Sequence, residues 1–213
     1  MLIADPTYQG HRRWMNRALE LAQSAGEAGE VPVGAVIVDS EGQAIASASN
    51  RKERDFDPTA HAEIIAIRAA GQALQNWHLN HCTLYVTLEP CPMCAGAIVQ
   101  ARLGLLVYGV DDPKTGAIRT VANIPDSACS NHRLQVIAGV MSSQCRQQLQ
   151  TWFAQRRGRK KSALVQDADF SVVSGSTHPV VSHPAHNIGG CSGNESPRTD
   201  RDSTKTVIQI EEK

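Results

Sequence analysis

The sequence predicts a layered α/β sandwich, with helices packed on a central sheet. Three observations carry this. Short apolar runs alternate with longer runs whose apolar residues recur at helical spacing, in the order α-β-β-α-β-α-β-β-α. At 213 residues and 41% hydrophobic, the chain can bury one real core and still carry an extra segment. After Gly158 the character changes: Ser, Thr, Pro, Gly, Asn and His dominate, and Phe170 is the one aromatic residue. Such composition buries too little apolar surface to offset the entropy of ordering. The sequence therefore predicts a folded domain over residues 1–161 and a low-complexity, disordered tail over 162–213.

Each element has a local reason. Asp5-Pro6 reads as the cap and first residue of a helix, with Trp14, Ala18, Leu21, Ala22 and Ala25 on one apolar face and Gly26 and Gly29 near its end. Val33 to Val38 and Gln43 to Ser49 flank the turn Asp39-Ser40-Glu41-Gly42, which makes a hairpin. Asp57-Pro58-Thr59-Ala60 leads into an Ala- and Ile-rich helix over residues 62–73. A strand over Thr83 to Leu88 follows, then a helix from Cys91 to about Arg102, with Pro92 in the first helical position, where proline is tolerated. Leu105 to Gly109 is a strand, Asp111 to Gly116 a loop, and Leu134 to Ile137 a last strand. The final helix spans Ser142 to Arg157, with Leu149, Trp152 and Phe153 inward or half-exposed. In the tail, Val207 to Ile210 could pair locally but is not counted as an element, and His178, His183, His186 and Cys191, which could bind a metal, read as scattered polar residues.

Bulk properties exclude several classes. No apolar run is long enough to span a bilayer, and Met1 to Gly10 lacks a basic region followed by an apolar core, so neither a membrane span nor a signal peptide is expected. Six cysteines in a chain of this length form no disulfide framework, which fits a reduced, cytoplasmic setting. Cys82, Cys129, Cys145 and Cys191 read as packing or plain surface, and His78 and His81 as surface residues of a turn. Net charge is zero, which argues against a strongly basic nucleic-acid binder. It is unevenly spread: residues 1–161 hold 17 Lys and Arg against 14 Asp and Glu, and the tail holds 4 against 7.

The chemistry concentrates in His61-Ala62-Glu63 and Pro90-Cys91-Pro92-Met93-Cys94. A catalytic zinc ion takes three protein ligands and keeps one position open. His61, Cys91 and Cys94 fit the three. Glu63 is left over, and a carboxylate beside a metal-activated water can take and pass on its proton. Residues two apart do not share a face in mid-helix. At a helix start they can, so His61 and Glu63 can reach one cleft, and the Cys91 helix start can meet them there. Two helix N-termini would favour thiolate and hydroxide at that point. A structural zinc site or a redox pair would share the C-x-x-C spacing. No fourth Cys or His at close spacing supports the structural site, and such a site has no use for Glu63.

These motifs carry a resemblance. H-x-E followed by P-C-x-x-C is the signature of zinc nucleobase deaminases. The chain resembles the bacterial tRNA adenosine deaminases in Val31-Pro32-Val33-Gly34-Ala35, Asn50, Asp57 to Glu63, Thr87 to Ala97, Asp112 to Ala117 and Asn131-His132-Arg133, over roughly residues 8–158. The resemblance implies a cytidine deaminase-like fold, a three-layer α/β/α sandwich with a five-stranded mixed sheet. It implies hydrolytic conversion of adenosine to inosine at the wobble position of a tRNA anticodon loop, one Zn2+ per subunit, and a homodimer. It also implies that Asn50 hydrogen-bonds the flipped nucleoside and that the backbone at Ala62 helps hold it. A free-base or nucleoside deaminase would share the zinc site, and a non-catalytic zinc-bearing RNA-binding module is the alternative outside enzymology.

Contacts to RNA leave alternatives open. Arg156-Arg157-Gly158-Arg159-Lys160-Lys161 is the one basic run, either a phosphate contact or cations at a helix C-terminus. Phe153 either stacks on a base or packs into the core. By resemblance, Asp112 to Gly116 borders the RNA entrance, where Lys114 would meet a phosphate. Asp112 there either accepts from a ribose 2′-hydroxyl or simply forms a turn.

Overall fold

The computed structural model describes residues 6–170 and 208–209. The elements are α1 (Pro6–Glu27), β1 (Gly34–Val38), β2 (Ala44–Ser49), α2 (Ala62–Leu74), β3 (Thr83–Leu88), α3 (Pro92–Gln100), β4 (Leu105–Val110), β5 (Gln135–Ala138), α4 (Ser142–Phe170) and β6 (Ile208–Gln209), with a 3₁₀ turn at Ile124–Asp126. The expected alternation of helix and strand is observed. So is the mixed sheet, in the order β2-β1-β3-β4-β5 with β6 added at the edge. β1 runs antiparallel to β2 and β3, while β3, β4, β5 and β6 are parallel. Parallel neighbours need a crossover, and α3 supplies the one between β3 and β4.

The central strands are buried on both faces, which is why their sequences read as continuous apolar runs rather than as alternation. Ala35, Ile37, Leu84, Val86 and Leu106 point to one side, against Ala62, Ala66 and Ala70 of α2 and Ile98 of α3. Val36, Val38, Tyr85 and Val107 point to the other, against Tyr8, Met15 and Ala18 of α1 and Cys145 of α4. Three layers result. The small residues along α2 allow that helix to lie close to the sheet. The hairpin turn is fixed by the Asp39 carboxylate, which accepts from the backbone N–H of Glu41 (2.9 Å) and Gln43 (2.8 Å).

The chain divides into two compact units, Met1–Gln155 with Thr206–Lys213, and Arg156–Lys205. The sheet belongs to the first. Two features depart from expectation. α4 continues past Arg157 to Phe170. The stretch from Arg159 to Val165 contains good helix formers and no proline, and the single Gly158 costs only about 1 kcal/mol, so it does not stop the helix. β6 pairs in parallel with β5, Ile137 opposite Ile208 and Ala138 opposite Gln209, within the stretch expected to be unstructured. The rest of that stretch lies outside the described residues, as does the cap expected at Asp5. No described helix is long and apolar enough to cross a membrane.

Gly34 marks a close approach of α1 to β1. A Cβ there would run into the Ala18 carbonyl and the Ala22 amide of α1, both backbone atoms that cannot swing aside. Gly34→Ala should therefore lower unfolding free energy by about 1–3 kcal/mol in denaturant titration. Gly10→Ala, on the same helix with nothing within 4 Å of its Cβ, should be neutral or stabilising.

Candidate active site

Two residues just outside helices define the site. His61 is the N-cap of α2, with extended backbone (φ −72°, ψ 149°), and Cys91 is the N-cap of α3 (φ −71°, ψ 172°). Neither uses its side chain to cap its own helix, so both side chains are available to the cleft. His61 is set by a tight turn: its N–H donates to the Thr59 carbonyl (2.7 Å), and the Asp57 carboxylate accepts from the Thr59 N–H and hydroxyl (2.7 Å each). Cys91 follows Pro90 at the end of β3, and its carbonyl accepts from the Ala95 N–H (2.8 Å), which places Cys94 in the first turn.

The result brings three soft or borderline donors together. His61 Nδ1 lies 3.7 Å from Cys91 Sγ and 3.6 Å from Cys94 Sγ. All three ligand atoms lie within 4.8 Å of one another. Zn–N and Zn–S bonds at tetrahedral angles separate ligand atoms by roughly 3.5–3.8 Å, so the donor set fits that ion. The two thiols differ in acidity. Cys91 is held down to about 4, chiefly because Cys94 donates to it and secondly because of His61. The same hydrogen bond, with burial, pushes Cys94 up. His61 is raised first by its bond to Cys91, and Lys52 is near enough to weigh against its positive charge.

Glu63 stands in the first turn of α2, only 4% exposed. Burial raises its pKa, against the pull of His61. Both Cys91 and Cys94 also bear on it, so the carboxyl faces the same cleft as the three donors. A buried carboxyl with a raised pKa can hold and release a proton near neutral pH.

The other expected residues fall into two groups. Asn50 and Ala62 are buried beside the site. The Asn50 amide donates to Glu30 (3.3 Å), the next residue's N–H bonds the Ala60 carbonyl (3.0 Å), and Ala62 sits where helix N–H groups have no intrahelical acceptor. Asp112 is a turn former: its carboxylate accepts from the Lys114 N–H (2.9 Å) and the Thr115 hydroxyl (2.6 Å), while the Lys114 side chain is exposed. Phe153 is 42% exposed and stacks edge-on against Trp152, whose indole N–H donates to the Gly26 carbonyl at the end of α1 (3.1 Å). That anchor is on α1, not on the helices that bear the donors. Arg156 and Arg157 are exposed positions of α4 in the second unit.

Sequence reasoning missed two carboxylates. Glu89 is 2% exposed and accepts from the backbone N–H of Asp112 (3.0 Å), Ile118 (3.1 Å), Arg119 (2.9 Å) and Thr120 (3.1 Å), and from the Thr120 hydroxyl. The loop after β4 is thus wound around one buried side chain, two residues before Cys91 in the chain. Gly116 is required there, since a Cβ would collide with the Glu89 carboxylate. Glu30, also 2% exposed, does the same on the other side, accepting from Asn50 and from the backbone N–H of Glu53 (3.2 Å) and Arg54 (2.7 Å). Their signal was an acid abutting a buried strand segment, Glu30 before Val31-Pro32-Val33 and Glu89 after Leu88.

Comparison with known proteins gives a consistent picture. The family model of MafB19-like deaminases matches residues 9–157. The tRNA-specific adenosine deaminase of Haemophilus influenzae is 49% identical over 149 residues, covering 70% of this chain and 86% of that protein. The tRNA-specific adenosine deaminase of Bacillus subtilis is 44% identical over 150 residues, covering 70% and 92%. A solved tRNA:A34 deaminase, studied for A-to-I editing at the wobble position of transfer RNA, is 44% identical with a TM-score of 0.63, covering 64% of this chain and 99% of its own. A guanine deaminase from Nitrosomonas europaea, 24% identical with a TM-score of 0.58, covers 67% and 84% and shares the fold.

Glu89→Gln tests the anion at the centre of the loop. Glutamine offers one acceptor oxygen and turns an amide N–H₂ toward backbone donors, leaving some unpaired. Stability should fall by about 1–3 kcal/mol in denaturant titration, and the amides of Ile118, Arg119 and Thr120 should exchange with deuterium faster than in the parent.

Proposed function

The chain belongs to the tRNA-specific adenosine deaminase family, and we propose that it carries out that family's reaction, hydrolysis of adenosine to inosine at the wobble position of a tRNA anticodon loop. The observation that carries the reading is the cluster of His61 Nδ1 and the two sulfurs, 3.6 and 3.7 Å away, with Glu63 buried beside it. In this reading His61, Cys91 and Cys94 would hold one zinc ion per subunit. Bound there, zinc supplies a water acidified to near neutral pH.

The remaining work falls to the chain. Glu63 takes one proton from the attacking water and delivers it to the ring nitrogen beside C6 as the water oxygen bonds to C6; it then takes the second proton from that oxygen and gives it to the amine as the C6–N bond breaks. One water is consumed and one ammonia leaves. The raised pKa of Glu63 suits a group that must both take and give. The target adenine is unpaired and turned out of its loop, since a stacked base cannot reach a site at this depth. Asn50, its side chain steadied by Glu30, and the free first-turn amides at Ala62 are the groups that orient the nucleoside. Lys114, Phe153, Arg156 and Arg157 are assigned to the RNA beyond the target base, and Asp112 to the shape of the loop that bears Lys114. The catalytic domain is residues 1–161, acting as a homodimer in the cytoplasm, where its substrate is made.

Incubation of the full chain with an anticodon stem-loop bearing adenosine at the wobble position, and separately with adenosine, guanine and cytidine, tests the reading. Inosine should form in the hairpin, and ammonia released faster from guanine or cytidine would overturn it. Cys91→Ala and Cys94→Ala should each bring bound zinc well below one per chain by metal analysis; full occupancy in both would remove them as ligands. Glu63→Gln should keep its zinc while turnover falls at least ~100-fold, the scale of a lost general acid and base.

A further inference from the structure

We propose that Phe56 is a second point of contact with RNA, a platform on which a base flanking the target adenosine stacks. The inference rests on the tRNA reading above and adds a binding residue to it. Phe56 is 95% exposed, the most exposed large apolar side chain among the described residues. Its backbone lies in the left-handed region, φ 50°, which a residue with a bulky side chain rarely adopts. Solvent exposure and an unfavourable backbone together give folding nothing. Such a combination points to use rather than stability.

The loop that carries it is not loose. Asp55 N–H donates to the Arg51 carbonyl (2.9 Å) and Asp57 N–H to the Lys52 carbonyl (3.2 Å), so both chain neighbours of Phe56 are tied. Glu53 and Arg54 donate their N–H groups to the buried Glu30 carboxylate. Arg51 and Arg54 both pair with Asp55, closing the loop on itself (3.0 and 3.1 Å). At its base, Arg51 N–H bonds the carbonyl of Ala60, the residue before His61. The ring is therefore held out on a braced arm that springs from the wall of the active site. Lys52, on the same arm, is close enough to act on the charge of His61.

Once one base of an anticodon loop is turned into the site, its neighbours lose a stacking partner. An exposed ring at fixed distance from the pocket replaces that partner, and every base has a face to offer it. The cost of ordering the loop backbone has already been met by folding, and the stack lies outside the reacting atoms, so the contact acts on binding and not on the chemical step.

Steady-state kinetics on an anticodon stem-loop RNA test this. For Phe56→Ala, KM should rise about tenfold, while kcat, zinc per chain and melting temperature stay at parent values. Phe56→Tyr keeps a stacking face and should restore KM. An unchanged KM in Phe56→Ala overturns the proposal, as does a Phe56→Tyr variant as weak as Phe56→Ala. A parent protein that leaves the hairpin untouched instead overturns the tRNA reading itself, and this inference with it.

Discussion

His61 and Cys91 each sit one residue outside a helix, in extended backbone, and this shared position is what lets their side chains meet. A residue inside a helix is committed to one face by the period of 3.6. A capping residue is not. Because α2 and α3 lie on the same face of the sheet, their first turns can be brought to one point without bending either helix. Cys94 and Glu63 then follow as first-turn residues of the two helices, one from each. The buried sheet fixes where the helices lie, and their starts fix which atoms converge.

Charge in this small space is tightly balanced. Cys91 ionises easily and Cys94 does not, because the second thiol donates to the first. Glu63 is reluctant to ionise because it is buried. Each negative charge added to the cluster makes the next one harder to add, and a nearby positive charge such as that of His61 eases the conflict. The two helix N-termini help in the same direction, since their partial positive charge is shared by one cleft.

Much of this was legible in the chain. Strands buried on both faces announce themselves as unbroken apolar runs, as Val33 to Val38 and Leu105 to Gly109 do, and Pro92 behind Cys91 marks a helix start. The pairing of His61 with Cys91 and Cys94 followed from ligand chemistry. Other features were hidden for physical reasons. α4 outran its expected end because one glycine among helix formers is a weak stop. The pairing of Ile208 with Ile137 joins residues far apart in sequence, and two residues carry no periodicity. Glu30 and Glu89 drew no reading of their own from the sequence, because what makes them structural is the set of backbone donors around them, which no residue type encodes. For Asp112 the sequence left two readings open, and its hydrogen bonds to Lys114 and Thr115 are those of the turn.

The two buried carboxylates hold their loops almost entirely through main-chain amides. An amide N–H is the same whichever side chain its residue bears, proline apart. Exposed Glu53 can therefore change identity while its loop keeps its course, whereas Ile118 is buried in the core and Arg119 is tied to Asp111. The course of the two loops is written largely into two acids and a glycine, and only the side chains that face outward are released from that duty.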